Sequence, residues 1–289
     1  MEKKNYTPEE LRRLHDTLYE ILGEVIRVCR EHHIPYFVIG GTAIGTLYDE
    51  AILPWDDDID IGMRRDDYER FLAIAPTALA GDYLLSWYGT EPHTPYYFAK
   101  VKKRHTLFVE PLFRDVDMHP GIFVDIIPFD RLPDSPRLQR LQHEAAKFLF
   151  CCLIGKETWL WRYGGKCRTP HPSRRGPLPC LLNRLVDICV PKRLLFAALT
   201  RLQKAFNHTA TTHYNNILTR TDRVTVEALD HPELHRFGPL TVTAPRDLES
   251  FLRYNYPSLH RFTPDEVAQL EGHVPVALSF DTRKEAETT

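Results

Sequence analysis

The chain has 289 residues, 43% of them hydrophobic and 26% charged, a balance that supports a packed core. Its net charge of −2 gives no basis for a nucleic-acid partner. No apolar run approaches the roughly 18 residues of a membrane span, and the opening "MEKKNYTPEE" lacks the apolar stretch of a secretory signal.

The elements read in order as follows. Thr7, Pro8 and Glu10 form a capping box, and Leu11, Leu14, Leu18, Ile21, Leu22 and Val25 then recur at helical spacing, so a helix runs from there to His32 or His33. "YFVIGG" (36–41) predicts a short buried strand ending in two glycines, and a short helix is expected to start at Thr42. A strand is expected over 57–62, an amphipathic helix over 64–75, and strands over 83–88, 96–103 and 106–110. "GIFVDIIPFD" (121–130) predicts a strand that ends in a proline turn. From 136 the pattern turns helical, over 136–154, 180–190 and 192–207, around a Gly-, Pro- and Arg-rich loop at 162–179. A strand near 239–243, a helix at 246–255 and a polar, disordered tail from 281 complete the chain. The order predicts an α+β fold: a mixed-sheet catalytic core over 1–135, a helical addition over 136–235, and a return to the core over 236–280.

The six cysteines form no C-x-x-C pair, which argues against a zinc ribbon. Cys151 and Cys152 sit in an apolar run and read as buried thiols of a reducing compartment, so the expected location is cytoplasmic.

The chemistry concentrates in "LPWDDDIDIGM" (53–63), where Asp56, Asp57, Asp58 and Asp60 fall within five positions. Ile59 and Ile61 alternate with Asp58 and Asp60, so on a strand the two carboxylates share one face. Side by side they repel, and a divalent cation with hard oxygen ligands, Mg2+ or else Mn2+, would relieve that. An EF-hand loop does not fit, because Ile61 stands where glycine is needed and Asp67 where glutamate is. An ion-pair patch with Arg64 and Arg65 remains as the alternative to a metal. Gly40, Gly41 and Thr42 lie between a strand and a helix start, where backbone can approach a phosphate closely. Asp125 sits between apolar residues on a later strand and would be costly there without a partner. Lys100 and Lys102 share a strand face with Arg104 and are candidates for gripping phosphates, the alternative being a solvated strand face. His119 reads as a turn histidine without a role, and Trp55 as a packing anchor.

Residues 40–42, "IGTLYDEAILPWDDDIDIGMRRDDYERFL" (44–72) and "HPGIFVDIIPFD" (119–130) resemble the LicD family, which includes the fukutin-type proteins, and "APRDLESFLRYNYP" (244–257) resembles its C-terminal motif more loosely. The resemblance implies a nucleotidyltransferase-like fold and the transfer of a phospho-alcohol such as phosphocholine from a CDP-linked donor to a glycan hydroxyl, with release of CMP. It implies that Gly40, Gly41 and Thr42 form the donor-phosphate turn and that Asp58, Asp60 and Asp125 hold the metal, Asp125 alternatively accepting a proton. Two places depart from the family pattern: Tyr48–Asp49 stand where a basic residue is common, and "YNYP" replaces a Tyr-Gly-Asp type motif. Other readings are a nucleotidyltransferase acting on a small molecule and a non-catalytic glycan- or nucleotide-binding relative. The glycan acceptor is expected to be lipid-linked in some cases, which suggests a peripheral membrane contact through 162–207, where Arg162, Lys166, Arg168, Arg174 and Arg175 precede amphipathic helices; the alternative, and the favoured reading, is that these helices pack on the core beside a plain loop.

Overall fold

The computed structural model describes residues 6–157, 189–263, 266 and 274–283. The expected loop at 162–179, the helix at 180–188, and the end of the tail at 284–289 lie outside the described residues, as do the five basic residues of the expected membrane contact.

The first helix, α1 (Pro8–Glu31), begins as its sequence dictates. The Thr7 hydroxyl accepts from Glu10 N–H, and the Glu10 carboxylate accepts from Thr7 N–H. The short strand β1 (Phe37–Val38) leads directly into α2 (Gly40–Tyr48). The helix therefore starts at the first glycine, two residues earlier than expected, because neither glycine carries a side chain that would crowd the turn.

Strand β2 (Asp60–Arg64) begins three residues later than the expected 57–62. The Asp60 N–H donates to the Thr42 hydroxyl at 2.9 Å rather than to a neighbouring strand, and regular pairing starts only at this residue. Helix α3 (Arg65–Ala78) follows at once, then β3 (Tyr83–Ser86), β4 (Ala99–Lys103), β5 (Leu107–Val109) and β6 (Phe123–Leu132).

Strand β6 does not end at Pro128, as expected, but runs through it. Asp125 N–H points to β2, donating to the Ile59 carbonyl, so alternation turns the missing N–H of Pro128 toward the other side. There β4 pairs β6 only as far as Ile126, and the next partner begins at Asp130. The proline falls in the gap between two partners and costs no ladder bond.

The second half contains α4 (Pro136–Glu157), α5 (Lys192–Gln203) with a 3-10 turn at Lys204–Phe206, β7 (His213–Asn215), β8 (Val224–Thr225), α6 (Val226–Asp230), β9 (Glu233–Phe237), β10 (Leu240–Ala244), α7 (Leu248–Asn255) and β11 (Ala277–Ser279). The main sheet has the order β1-β2-β6-β4-β3, with β7 on the far end of β6 and β8 beside β7. Among the described residues of this sheet only β2 and β6 run parallel; the other pairs are antiparallel.

One core joins α1 and α3 to this sheet through Leu14, Leu18, Phe71, Ile61, Val101 and Ile126, all fully buried. A smaller apolar cluster packs α4 on α5, with Leu153, Leu195 and Leu199 buried. The described part of the 192–207 helix thus buries its stripe against protein. No helix among the described residues is long and apolar enough to cross a membrane. Strands β7, β8, β9 and β11 and helix α6 were not expected; each is at most five residues long, too short for a periodicity to register.

A buried ion pair ties the two halves together. Arg65 at the start of α3 donates twice to the Asp130 carboxylate, at 2.9 and 2.5 Å, and once to the Gln203 side-chain oxygen on α5. Arg64 instead reaches Asp230 at 2.6 Å. Both arginines are therefore engaged away from the acidic run, which removes the ion-pair patch as its explanation.

Candidate active site

Three strands set one row of side chains. The register pairs Asp60 with Asp125 across β2 and β6, and Asp125 with Lys100 across β6 and β4. Neighbours in register share a face, so the two carboxylates and the ammonium line up while Ile61, Ile126 and Val101 turn to the opposite side. Lys100 donates to both Asp125 oxygens, at 2.7 and 3.0 Å, and is only 3% exposed. Its ammonium also lies 3.3 Å from the centre of the Phe123 ring and 4.2 Å from that of Tyr96.

The acidic loop before β2 folds over the start of α2. An added Cβ on Gly41 would lie 2.4 Å from Asp56 Oδ2, and one on Gly40 3.5 Å from Asp60 Oδ2. Gly40 has φ +54°, in the region that favours glycine. The pair of glycines thus admits two carboxylates against the helix start. Thr42 is buried beneath them with its hydroxyl committed to Asp60 N–H. Helix α1 and the residue before its cap brace the loop: His15 Nε2 lies 2.8 Å from the Asp56 carbonyl, the Tyr19 hydroxyl accepts from Ile52 N–H, and Tyr6, ahead of the helix, donates to Asp57 Oδ2 at 2.8 Å.

Packing these acids together shifts their protonation. Burial, then Asp58 and Asp57, push Asp56 up to about 8. Burial, then Asp58 and Asp125, raise Asp60 well above the usual carboxylate range, with Lys100 opposing. Burial raises Asp125 to about 7, against the pull of Lys100. One oxygen each from Asp56, Asp57 and Asp58 lies within 4.8 Å of the others, a spacing that one metal ion can bridge. The donor set is all hard oxygen, its members oppose one another's ionisation, and Lys100 is the one cation the described residues bring to the row. These residues fit a divalent cation of the Mg2+ or Mn2+ kind. Of the expected ligands, Asp58 belongs to this close group, while Asp60 and Asp125 adjoin it in the strand row. Asp56 joins them; the sequence held it in view as one of four acids but gave it no role.

Lys100 and Lys102 are not on a solvated face: Lys102 is 2% exposed. Lys102 donates to the His119 carbonyl at 2.5 Å and to Glu91 at 3.4 Å, and burial lowers its pKa to about 8. His119 has a structural part, since its N–H donates to Glu91 and its Nδ1 accepts from Gly121 N–H, fixing the turn into β6. Trp55 packs edge-on against Phe262.

Sequence reasoning missed Asp222. It is buried, has φ +65°, and takes a hydrogen bond from Gly40 N–H. Tyr256 donates to its Oδ1 at 3.1 Å, and Asn255 brackets Arg223 by accepting from its N–H at 2.8 Å and donating to its carbonyl at 3.0 Å. "YNYP" is therefore the clamp that holds residues 222–223 against the glycine turn. No local pattern marks Asp222, because Gly40 and Tyr256, which tie it to the site, each lie more than 30 residues away.

A mixed sheet with two acids in register beside a glycine-led helix defines a nucleotidyltransferase-like domain. Residues 33–135 match the family described as LicD/FKTN/FKRP, nucleotidyltransferase domain, and the chain carries a LicD-family domain of that kind. The chain is 29% identical over 151 residues to a protein of Haemophilus influenzae named lipopolysaccharide cholinephosphotransferase LicD, covering 48% of this chain and 52% of that one. It is 32% identical over 73 residues to an uncharacterised protein of Rickettsia typhi, covering 25% of this chain and 23% of that one. The matches thus span about half or less of these relatives' lengths.

Proposed function

We propose that the chain transfers a phospho-alcohol from a CDP-linked donor to a hydroxyl of a glycan or its lipid-linked precursor, in the cytoplasm, with release of CMP. The observation that carries this is the Asp60–Asp125–Lys100 row set beside Asp56 and Asp58 over the Gly40–Gly41 turn. The matched family and the name of the Haemophilus relative support the reaction class. Residues 1–135 serve as the catalytic core, and 136–235 as a helical addition on the acceptor side.

Asp58, Asp60 and Asp125, with Asp56, would hold the divalent ion. When bound, such an ion neutralises charge on the donor's diphosphate. The Gly40–Thr42 turn and the start of α2 receive the donor phosphates. Lys100 fixes the Asp125 carboxylate through both oxygens, and Lys102 holds the turn from which β6 departs. The acceptor oxygen attacks the phosphorus that bears the alcohol, the bridging P–O bond breaks, and the bridging oxygen leaves with CMP. Asp125 either completes that ion's ligand set or takes the acceptor's proton.

Incubation with CDP-choline, CDP-ribitol and CDP-glycerol in Mg2+, followed by CMP detection, tests the reading. Asp60→Asn should abolish release, and Asp125→Asn should lose most of it while retaining some donor binding. Wild-type rates in Asp60→Asn at saturating Mg2+ would overturn the metal assignment. The family's description as a nucleotidyltransferase domain favours one second reading, transfer of a nucleotidyl group to a small molecule, which would release pyrophosphate from a nucleoside triphosphate instead.

A further inference from the structure

A cleft of about 770 Å³ opens between β7 and the start of α4, within the size range of ligand pockets. Four arginines line it, Arg137, Arg140, Arg220 and Arg223, with the rings of His143 and His213 beside them. Among the described residues its one lining carboxylate is Asp134, which already accepts from the Thr212 N–H and hydroxyl at 3.1 and 2.7 Å. Arg220 pairs with Glu144 at 3.2 Å; Arg137, Arg140 and Arg223 have no carboxylate partner among the described residues. Tyr254, 58% exposed, stacks on His213 with ring centres 5.9 Å apart and planes 16° from parallel, which presents a flat aromatic surface to the cleft.

The cleft's position says what it can serve. Arg223 directly follows Asp222, whose carboxylate accepts from Gly40 N–H, so one end lies within roughly 10 Å of the glycine turn. The other end reaches Leu132, seven residues along β6 from Asp125 and roughly 23 Å away at strand spacing. That span exceeds what one diphosphate needs. An extended chain with its reactive end at the acids and its body in the cleft fits it. Guanidinium forks pair with phosphate in two-point contacts, and an aromatic plane takes the apolar face of a sugar ring.

We propose that this arginine-lined cleft seats a phosphate-bearing saccharide segment of the acceptor. The assignment rests on the transfer reading above and adds the acceptor's chemical class. A concave wall suits a sugar chain better than a flat membrane surface, and the phosphate of a lipid headgroup is separated from that of a sugar by experiment.

Calorimetric titration of the full chain, without donor, uses three probes: phosphorylated maltopentaose, the same sugar after phosphatase treatment, and phosphatidylglycerol vesicles. The phosphorylated sugar should bind at least tenfold more tightly than the dephosphorylated one and weaken as salt rises from about 50 to 300 mM. Arg137→Gln with Arg140→Gln, both exposed, should cost at least fivefold in affinity with no change in melting temperature. Arg137→Lys with Arg140→Lys should keep the salt dependence while losing part of the affinity. Equal binding of the two sugars, wild-type affinity in the glutamine variant, or binding of the vesicles alone would overturn the assignment. If the wild-type chain releases no CMP from any CDP-alcohol yet binds the phosphorylated sugar through these arginines, the transfer reading falls and the cleft stands.

Discussion

Replacing Gly41 by alanine separates the site from the fold. The new Cβ would lie 2.4 Å from Asp56 Oδ2 and 3.4 Å from its Cγ. Ordinary contact requires the carboxylate to withdraw by about 1 Å. The obstacle is the end of a side chain, so the backbone need not move. Gly41 lies in the first turn of α2 at an ordinary φ, and alanine there gains up to about 1 kcal/mol of helix propensity. The melting temperature in EDTA should therefore hold or rise by roughly 2–4 °C. A ligand displaced by that much misses the roughly 0.2 Å tolerance of a metal site, and the affinity for Mn2+ followed by electron paramagnetic resonance should fall about 10–100-fold. Gly45→Ala is the matched control. Its Cβ would meet the Ala51 carbonyl oxygen at 2.3 Å and Leu53 N at 3.3 Å, both backbone, and should cost about 1–3 kcal/mol of stability. Undiminished Mn2+ binding by Gly41→Ala, or a melt lowered as far as in Gly45→Ala, would refute the argument.

Three further outcomes follow from the same geometry. Lys100→Met should lower unfolding free energy in EDTA by about 3 kcal/mol by leaving a buried carboxylate without its cation, and adding Asp125→Asn should restore much of it; strictly additive urea-unfolding energies would show that the two groups do not act on each other. Lys102 has a folded-state pKa of about 8 against 10.5 unfolded, so the unfolded state holds its proton between those values and the native state does not. Stability should therefore carry a component that rises with pH over about 8–10.5, and Lys102→Met should flatten that slope in denaturation at pH 8, 9 and 10; an unchanged slope would place its origin elsewhere. Tyr256→Phe should cost about 1 kcal/mol and speed amide hydrogen exchange in the peptide that contains Gly40, because Asp222 loses one of its holders. Exchange at the wild-type rate would mean that "YNYP" does not steady the glycine turn.

Much of the site was legible locally. A capping box, a glycine pair before a helix and acids alternating with isoleucines each need only neighbours in sequence to express themselves, since caps, turns and strand faces are set by backbone geometry within a few residues. Asp125 could be suspected for the same reason, as a lone acid in an apolar strand. The tertiary structure decided everything that depends on register. Only pairing places Asp125 between Asp60 and Lys100, converts two lysines from a solvated face into buried partners, and brings Asp56 against Gly41. It also decided that β6 can run through Pro128, because the space beside that residue falls between two strands, and that Arg64 and Arg65 are spent on Asp230 and Asp130. The arginine cleft draws on residues from 132 to 254, and Asp222 acquires its function from Gly40 on one side and Tyr256 on the other. Contacts at such separations leave no period in the sequence. They arise from which strands pair and at what register, and that choice is made by burial of the whole core rather than by any one segment.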